Sequence, residues 1–140
     1  MGLTTNVRTF LRSDGFTALA ILVARLLLGA PFVIFGINKY IHQSQMMAVV
    51  ETAGIPGQIL YLIIPYQIVC GTLVWLGFKT PWASFLLGGF CIVAPILYHS
   101  DWSQPSALSM FTKDFATAGG FLLLWCFGPG RYSVDGYLAR

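Results

Sequence analysis

Apolar residues run in four long blocks separated by short polar breaks. The first extends from about Phe16 to Ile41, the second from Ile59 to Phe78, the third from Pro81 to Tyr98. Each is long enough to cross a hydrocarbon core of about 30 Å at about 1.5 Å per helical residue. The fourth block, Phe115 to Gly128, is short for a span. It reaches full length when its helix starts near Met110 with Lys113 and Asp114 at a membrane interface, and Gly128-Pro129-Gly130 ends it. Pro81 suits the first turn of a helix, where its missing N–H costs nothing. The pattern predicts an all-α, integral membrane four-transmembrane-helix bundle. It forms one domain over residues 1–140, with spans at about 16–41, 59–78, 81–98 and 110–128.

Between the first two spans the pattern is mixed. Met46, Met47, Val49, Val50 and Ala53 can line one side of a short helix, which Gly54-Ile55-Pro56-Gly57 ends. Such a helix lies flat in the interface, either as a connector or as a lid over a cavity.

Composition agrees with the pattern. Of 140 residues, 56% are hydrophobic and only 9% charged, where a soluble domain carries about 25% charge. The net charge of +3 comes without a basic run, which argues against nucleic-acid binding. Arg8, Arg12, Lys79, Arg131 and Arg140 fall on one side of the predicted topology, against Lys39 and Lys113 on the other. The positive-inside rule therefore predicts cytoplasmic N- and C-termini. Met1 to Asp14 is polar and shows no removable signal peptide. Cys70, Cys91 and Cys126 all lie in apolar blocks without a CxxC pair, as small buried hydrophobes do. Gly71, Thr72, Gly88, Gly89 and the run from Ala116 to Gly120 supply the small residues that let membrane helices pack closely.

The polar residues inside these blocks are the candidates for function. Arg25 lies within the first span, where a guanidinium costs roughly +2.5 to +3.5 kcal/mol at mid-helix. Counting from the predicted span ends puts Arg25 and Gln67 at similar depth, about 14–17 Å. Gln67 can therefore accept from the guanidinium through its amide oxygen. Either Arg25 caps backbone carbonyls and fixes helix packing, or it holds an anion or carbonyl group. A second polar group is expected at the outer ends: Asn38, Lys39 and His42, then His99, Asp101 and Trp102, then Lys113 and Asp114. These predict an interfacial network with Lys39 opposite Asp101 or Asp114. The His and Asp spacing matches no standard metal site. Trp75, Trp82, Tyr98 and Trp102 fall near predicted interfaces. Tyr61, Tyr66 and Trp125 lie deeper, where they pack or stack on a flat ring. The expected ligand-binding set is Arg25, Gln67, Tyr66, Lys39, His99 and Asp101.

An ordered set of residues resembles the DoxX family of small four-helix bacterial membrane proteins. It comprises Arg25-Leu-Leu-Leu-Gly29, Phe35-Gly36 and Lys39, then Ala53-Gly54-Ile55-Pro56, then Gly71 to Gly77 with Lys79-Thr80. It closes with Ala118-Gly119-Gly120 and Phe127-Gly128-Pro129-Gly130-Arg131-Tyr132-Ser133-Val134-Asp135. The resemblance covers about Arg25 to Asp135. It implies a bacterial inner-membrane protein linked to redox metabolism, similar to subunits of thiosulfate:quinone oxidoreductase or of oxidative-stress membrane complexes. Where the family pattern implies a glutamate in the second helix, this chain has Gln67. An Arg–Gln pair leaves positive charge uncancelled, which weakens a proton-transfer role or opens the site to an anionic partner.

Three functions are compatible with this reading. The first is a membrane subunit of a quinone-linked oxidoreductase, with a partner redox subunit or a second copy of the chain. It has no heme-attachment, iron–sulfur or nucleotide motif, so a bound quinone or a partner's cofactor must carry the electrons. The second is a non-catalytic membrane anchor or assembly subunit, and the third a small-solute carrier.

Overall fold

The computed structural model describes residues 13–98 and 103–140, and these residues are all-helical or loop. Helix α1 spans Asp14–Ile41 and carries the Ser13 side chain as its N-cap. A short helix, α2, follows at Gln43–Thr52. Gly54 then turns the chain at φ +76° into a 3-10 turn, Gly57–Ile59. Helix α3 spans Leu60–Leu76, α4 spans Thr80–Tyr98, α5 spans Pro105–Phe127 and α6 spans Val134–Leu138. Among the described residues, three stretches are long and apolar enough to cross a membrane: Asp14–Ile41, Gly57–Leu76 and Thr80–Tyr98. Helix α5 starts at Pro105, five residues before the expected Met110. Proline is well suited to that first helical position. Lys113 and Asp114 consequently sit inside the helix rather than at its entry.

The four long helices form a ring in which α1 packs chiefly on α3 and α5 chiefly on α4. Contacts between α3 and α4 join the two pairs, and α1 and α5 touch sparingly. Lipid chains are as apolar as leucine, so close packing must supply the attraction between helices. Glycine supplies it here. A Cβ on Gly29 would lie 2.9 Å from the Gly71 carbonyl oxygen and 2.7 Å from Trp75 Cδ1. One on Gly36 would lie 2.6 Å from Ile68 Cγ1. The expected contacts at Gly71 and Gly88 are present, whereas Gly89 and Gly119 meet nothing within 4 Å. Trp75 reinforces the α1–α3 contact by donating to the Leu26 carbonyl at 3.0 Å.

The C-terminal segment folds back over the end of the bundle where α3 turns into α4. Asp135 lies beside the start of α4 and accepts from the Lys79 and Thr80 amides at 3.0 and 3.2 Å. Its own amide donates to the Gly77 carbonyl at 2.9 Å. A carboxylate at this place satisfies helix-terminal N–H groups that have no partner within the helix, and it complements the helix dipole. Helix α1 runs well past the end of α3 here. The returning segment covers that overhang, with Gly130 against Ile21. We call this the tail end of the bundle and the opposite one the α2 end.

Gly77 permits the turn. It has φ +71°, and a Cβ there would collide with the Arg25 guanidinium and with Ser133. Gly77→Ala is expected to cost about 1–3 kcal/mol from the left-handed backbone alone, with the clash added. Asp135→Ala should lose about 1 kcal/mol of capping energy. Both should lower the unfolding temperature in detergent and speed proteolysis of the tail. Gly119→Ala, facing open space within a helix, should be neutral or stabilising by about 0.5–1 kcal/mol. Equal effects at Gly77 and Gly119 would refute this account of the turn.

Candidate functional site

Two cations on α1, Arg25 and Lys39, are fourteen residues apart in the sequence. That is about four helical turns, so both lie close to one face. In a helix the Cα–Cβ bond tilts toward the N-terminus. Long side chains on α1 are therefore directed toward the tail end. This shift decides the partner of each cation.

Arg25 is 1% exposed. Its Nη2 donates to the Tyr132 carbonyl at 2.6 Å. Asp135, one turn further on, supplies the opposite charge that acts on it. Nε and Nη1 are buried without a hydrogen-bond partner among the described residues. Arg25 thus holds a backbone carbonyl, as the packing alternative expects, and ties the returning segment to α1. The expected Arg25–Gln67 pair does not form. Depth counted from residue 16 does not match across the two helices, because the first turns of α1 extend beyond α3. Arg25 is consequently level with Gly77, at the end of α3, and Gln67 lies nearly three turns away along that helix.

Gln67 pairs instead with Lys39. The Lys39 ammonium donates to the Gln67 amide oxygen at 2.9 Å. Gln67 is 4% exposed, while Lys39 is half-buried. Lys39 starts near the end of α1 and reaches back along the bundle to a residue in the middle of α3. It also feels the charge of Asp114 from α5. The expected opposition of Lys39 and Asp114 is therefore present as a charge–charge attraction. Both residues line the same cavity.

This polar cluster forms part of the wall of a cavity of about 380 Å³ in the α2 half of the bundle. From α1 it is lined by Pro31, Phe32, Phe35 and Lys39; from α5, by Lys113, Asp114 and Thr117. Phe90, Cys91, Ala94 and Tyr98 of α4 form another wall. Met46, Val49 and Val50 of α2 cover it, with Leu60, Ile63 and Gln67 from α3. The short connector helix thus has the lid position that its sequence pattern allows. Val50 is fixed in a small apolar cluster with Leu60 and Ile64. The cavity floor is solid: Phe32 meets Phe121 edge to face at 5.4 Å, and the Gly120 backbone lies against Leu28.

The expected set is therefore divided. Lys39 and Gln67 come together at the cavity. Tyr66 does not line it but stands behind the wall, with its ring 5.8 Å from that of Phe90. Arg25 is at the tail end. His99 and Asp101 lie outside the described residues, as does Trp102. The expected set missed Lys113, Asp114, Cys91 and Tyr98 as cavity residues. The four-residue steps Lys113–Thr117 and Cys91–Pro95 mark a shared helical face, but only packing identifies which face is inside. Cys70 and Cys91 are buried as expected, whereas Cys126 is exposed.

Comparison with known proteins places this geometry in a family. The family model for DoxX matches residues 20–100, more than half of the chain. The chain is 33% identical over 120 residues to the inner membrane protein YqjF of Escherichia coli, covering 86% of this chain and 92% of that protein. It is 28% identical over 123 residues to the inner membrane protein YphA of the same organism, covering 82% and 87%. An uncharacterised membrane protein of Mycobacterium tuberculosis is 31% identical over 135 residues, covering 86% and 82%. No solved structure matches significantly. The family model spans both α1 cations and the α3 glutamine that one of them engages, and the relatives extend the match over most of the chain: this is a membrane protein of the DoxX family.

Proposed function

We propose that the chain binds a quinone-like or anionic ligand in the cavity beside Lys39 and Gln67. In this reading it is an integral inner-membrane subunit of a quinone-linked oxidoreductase or redox-stress complex. One observation carries the reading: an ammonium hydrogen-bonded to an amide in the wall of an otherwise largely apolar cavity. A volume of about 380 Å³ is within the roughly 300–1,000 Å³ typical of small-molecule sites. Apolar walls with a few directed polar groups suit a ring or chain carrying a polar head. Among the described residues the lining contains two cations, Lys39 and Lys113, against one acid, Asp114. That balance favours an anionic head or a carbonyl oxygen. An ammonium has three donors and Gln67 accepts one, which leaves N–H groups for a ligand. Gln67 itself carries no charge, so it orients Lys39 without neutralising it.

The proposed redox role needs a carrier that the chain does not encode covalently. A bound quinone would supply electron transfer, and a partner subunit would supply or accept the electrons. The chain's own contribution is to orient the head and to exclude water with α2 and the aromatic walls. The alternative is a non-catalytic anchor, with the cavity serving only packing.

The test is extraction of lipid-phase molecules from protein purified in mild detergent, followed by mass spectrometry. A quinone or acidic amphiphile at near-stoichiometric amount is expected. Lys39→Met and Gln67→Leu should each weaken its binding by roughly tenfold to a hundredfold, the range for a lost hydrogen bond to a charged group. Unchanged occupancy in both variants would sink the proposed site. An empty protein that copurifies stoichiometrically with a partner would favour the anchor.

The same proposal requires α5 to cross the membrane despite Lys113 and Asp114, which becomes feasible when both face the cavity. Both termini are then cytoplasmic, in accord with the positive charges at the tail end. A reporter active only in the cytoplasm should report when fused after Arg140 and be silent when fused after Gln104. Equal activity at both fusions would exclude the fourth crossing.

A further inference from the structure

We infer that the cavity is loaded sideways from the lipid phase. The entrant is a single-chain amphiphile that passes through a slot between α1 and α5 and places its carbonyl-oxygen head at Lys39. This rests on the ligand-binding reading above and adds the route and the shape of the ligand.

The slot follows from how the ring closes. The α1–α3 contact is tightened by Gly29, Gly36 and Gly71, and the α4–α5 contact by Gly88 against Phe121. The α1–α5 seam has the sparsest contacts of the ring. In the tail half that seam is sealed, with Leu28 on Gly120 and Phe32 on Phe121. In the α2 half, both sides of the seam are cavity walls: Pro31 and Phe35 from α1, Lys113 and Thr117 from α5. Phe35 lines the cavity and is still 54% exposed. An aromatic that faces both the hollow and the bundle surface marks an edge of an opening. That surface lies along an apolar span, so the medium outside the opening is acyl chain rather than water.

Access from the aqueous side is less favoured. Met46 and Val50 of α2 line the cavity from above, and Val50 is anchored on Leu60 and Ile64. The polar cluster is deep, because Lys39 reaches back to the middle of α3. A head there and an opening toward lipid require a tail that leaves along Phe35 and Pro31. A compact water-soluble anion would lack the surface to fill the apolar walls. A two-chain lipid would need a wider gap than one helix seam.

The experiment uses the full chain in phosphatidylcholine vesicles and a stearate carrying a mid-chain diazirine. Labelled residues are mapped by mass spectrometry. Trp82, 72% exposed on α4, reports ordinary contact with bulk lipid. Labelling should concentrate on Pro31, Phe35 and Thr117, at roughly tenfold above Trp82. Lys39→Met should remove that excess and leave Trp82 unchanged. Thr117→Phe, which fills the slot, should do the same. Phe35→Ala, which widens it, should speed labelling and keeps the test decisive if the filled variant fails to fold. Competition by unlabelled stearate and by a long-chain quinone distinguishes a carboxylate head from a quinone head. Slot labelling no greater than at Trp82 overturns the lateral route. So does equal labelling of the cavity by a short water-soluble diazirine acid. Lys39-dependent labelling of the cavity that ignores Thr117→Phe removes the slot alone. No Lys39-dependent labelling by any probe removes the ligand site as well.

Discussion

Desolvating two cations on one apolar helix is the constraint around which the rest of this structure is arranged. A guanidinium or ammonium in a hydrocarbon environment is tolerated only with partners or access to water. Helix α1 carries one of each on the same face, about four turns apart. Both side chains are directed toward the tail end, because helical Cβ atoms tilt toward the N-terminus. Arg25 is thereby brought to the end of α3, and Lys39 to the middle of it. One cation is met by the chain's own backbone at Tyr132. The other meets a neutral amide at Gln67, in the wall of a hollow.

The two ends differ because their partners differ. At the tail end the returning segment brings a carbonyl to Arg25 and a carboxylate to the amides that begin α4. It packs over the overhang of α1, and Gly77 leaves room for the guanidinium. Removing the carboxylate would expose unpaired helix-terminal amides and leave the Arg25 charge without Asp135. At the α2 end no segment among the described residues fills the space between α1 and α5 in that way. Helix α2 covers the gap instead, and it does so with apolar side chains that do not answer the charge on Lys39. The polar demand there is met in part by Gln67 and by the field of Asp114.

The helices were legible in the sequence because long apolar blocks leave little choice. In a lipid environment every backbone amide must be paired within its own segment, and a continuous helix does so. The start of α5 is not legible because Lys113 and Asp114 read as an interface signal, while their place beside a cavity depends on tertiary packing. The glycine contacts were half legible. Gly71 and Gly88 could be named from composition, but Gly29 and Gly36 are indistinguishable from Gly89 and Gly119 until the facing helix is known. The site was legible in its residue types and illegible in its pairing. Counting Cα positions from the expected span ends pairs Arg25 with Gln67. That count omits both the overhang of α1 and the side-chain tilt. The closing run from Gly128 to Asp135 carried a family resemblance without an evident physical role. Its role depends on contacts with Arg25 and with the start of α4, more than fifty residues away in the chain.

The position of the hollow follows from where the bundle can be tight. Gly29 and Gly71 bring the α1 and α3 backbones together near the centre. Phe32 and Phe121 close the core on the opposite seam at almost the same level of α1. Between that level and the tail, aromatic and aliphatic side chains interlock. Pro31, Pro65 and Pro95 each lie inside a continuous helix and remove a donor from its ladder. Pro95 leaves the carbonyl of Cys91, itself a wall residue, without its usual donor. The folded-back segment meets part of the polar demand of the tail half, where Nε and Nη1 of Arg25 and the Thr80 and Ser84 hydroxyls have no partner among the described residues. A bundle packed tightly at both ends would have no use for a cation reaching back to mid-helix. A sealed half, a hollow half and a cation hydrogen-bonded in the wall of the hollow are what make the α2 half the seat of the proposed ligand.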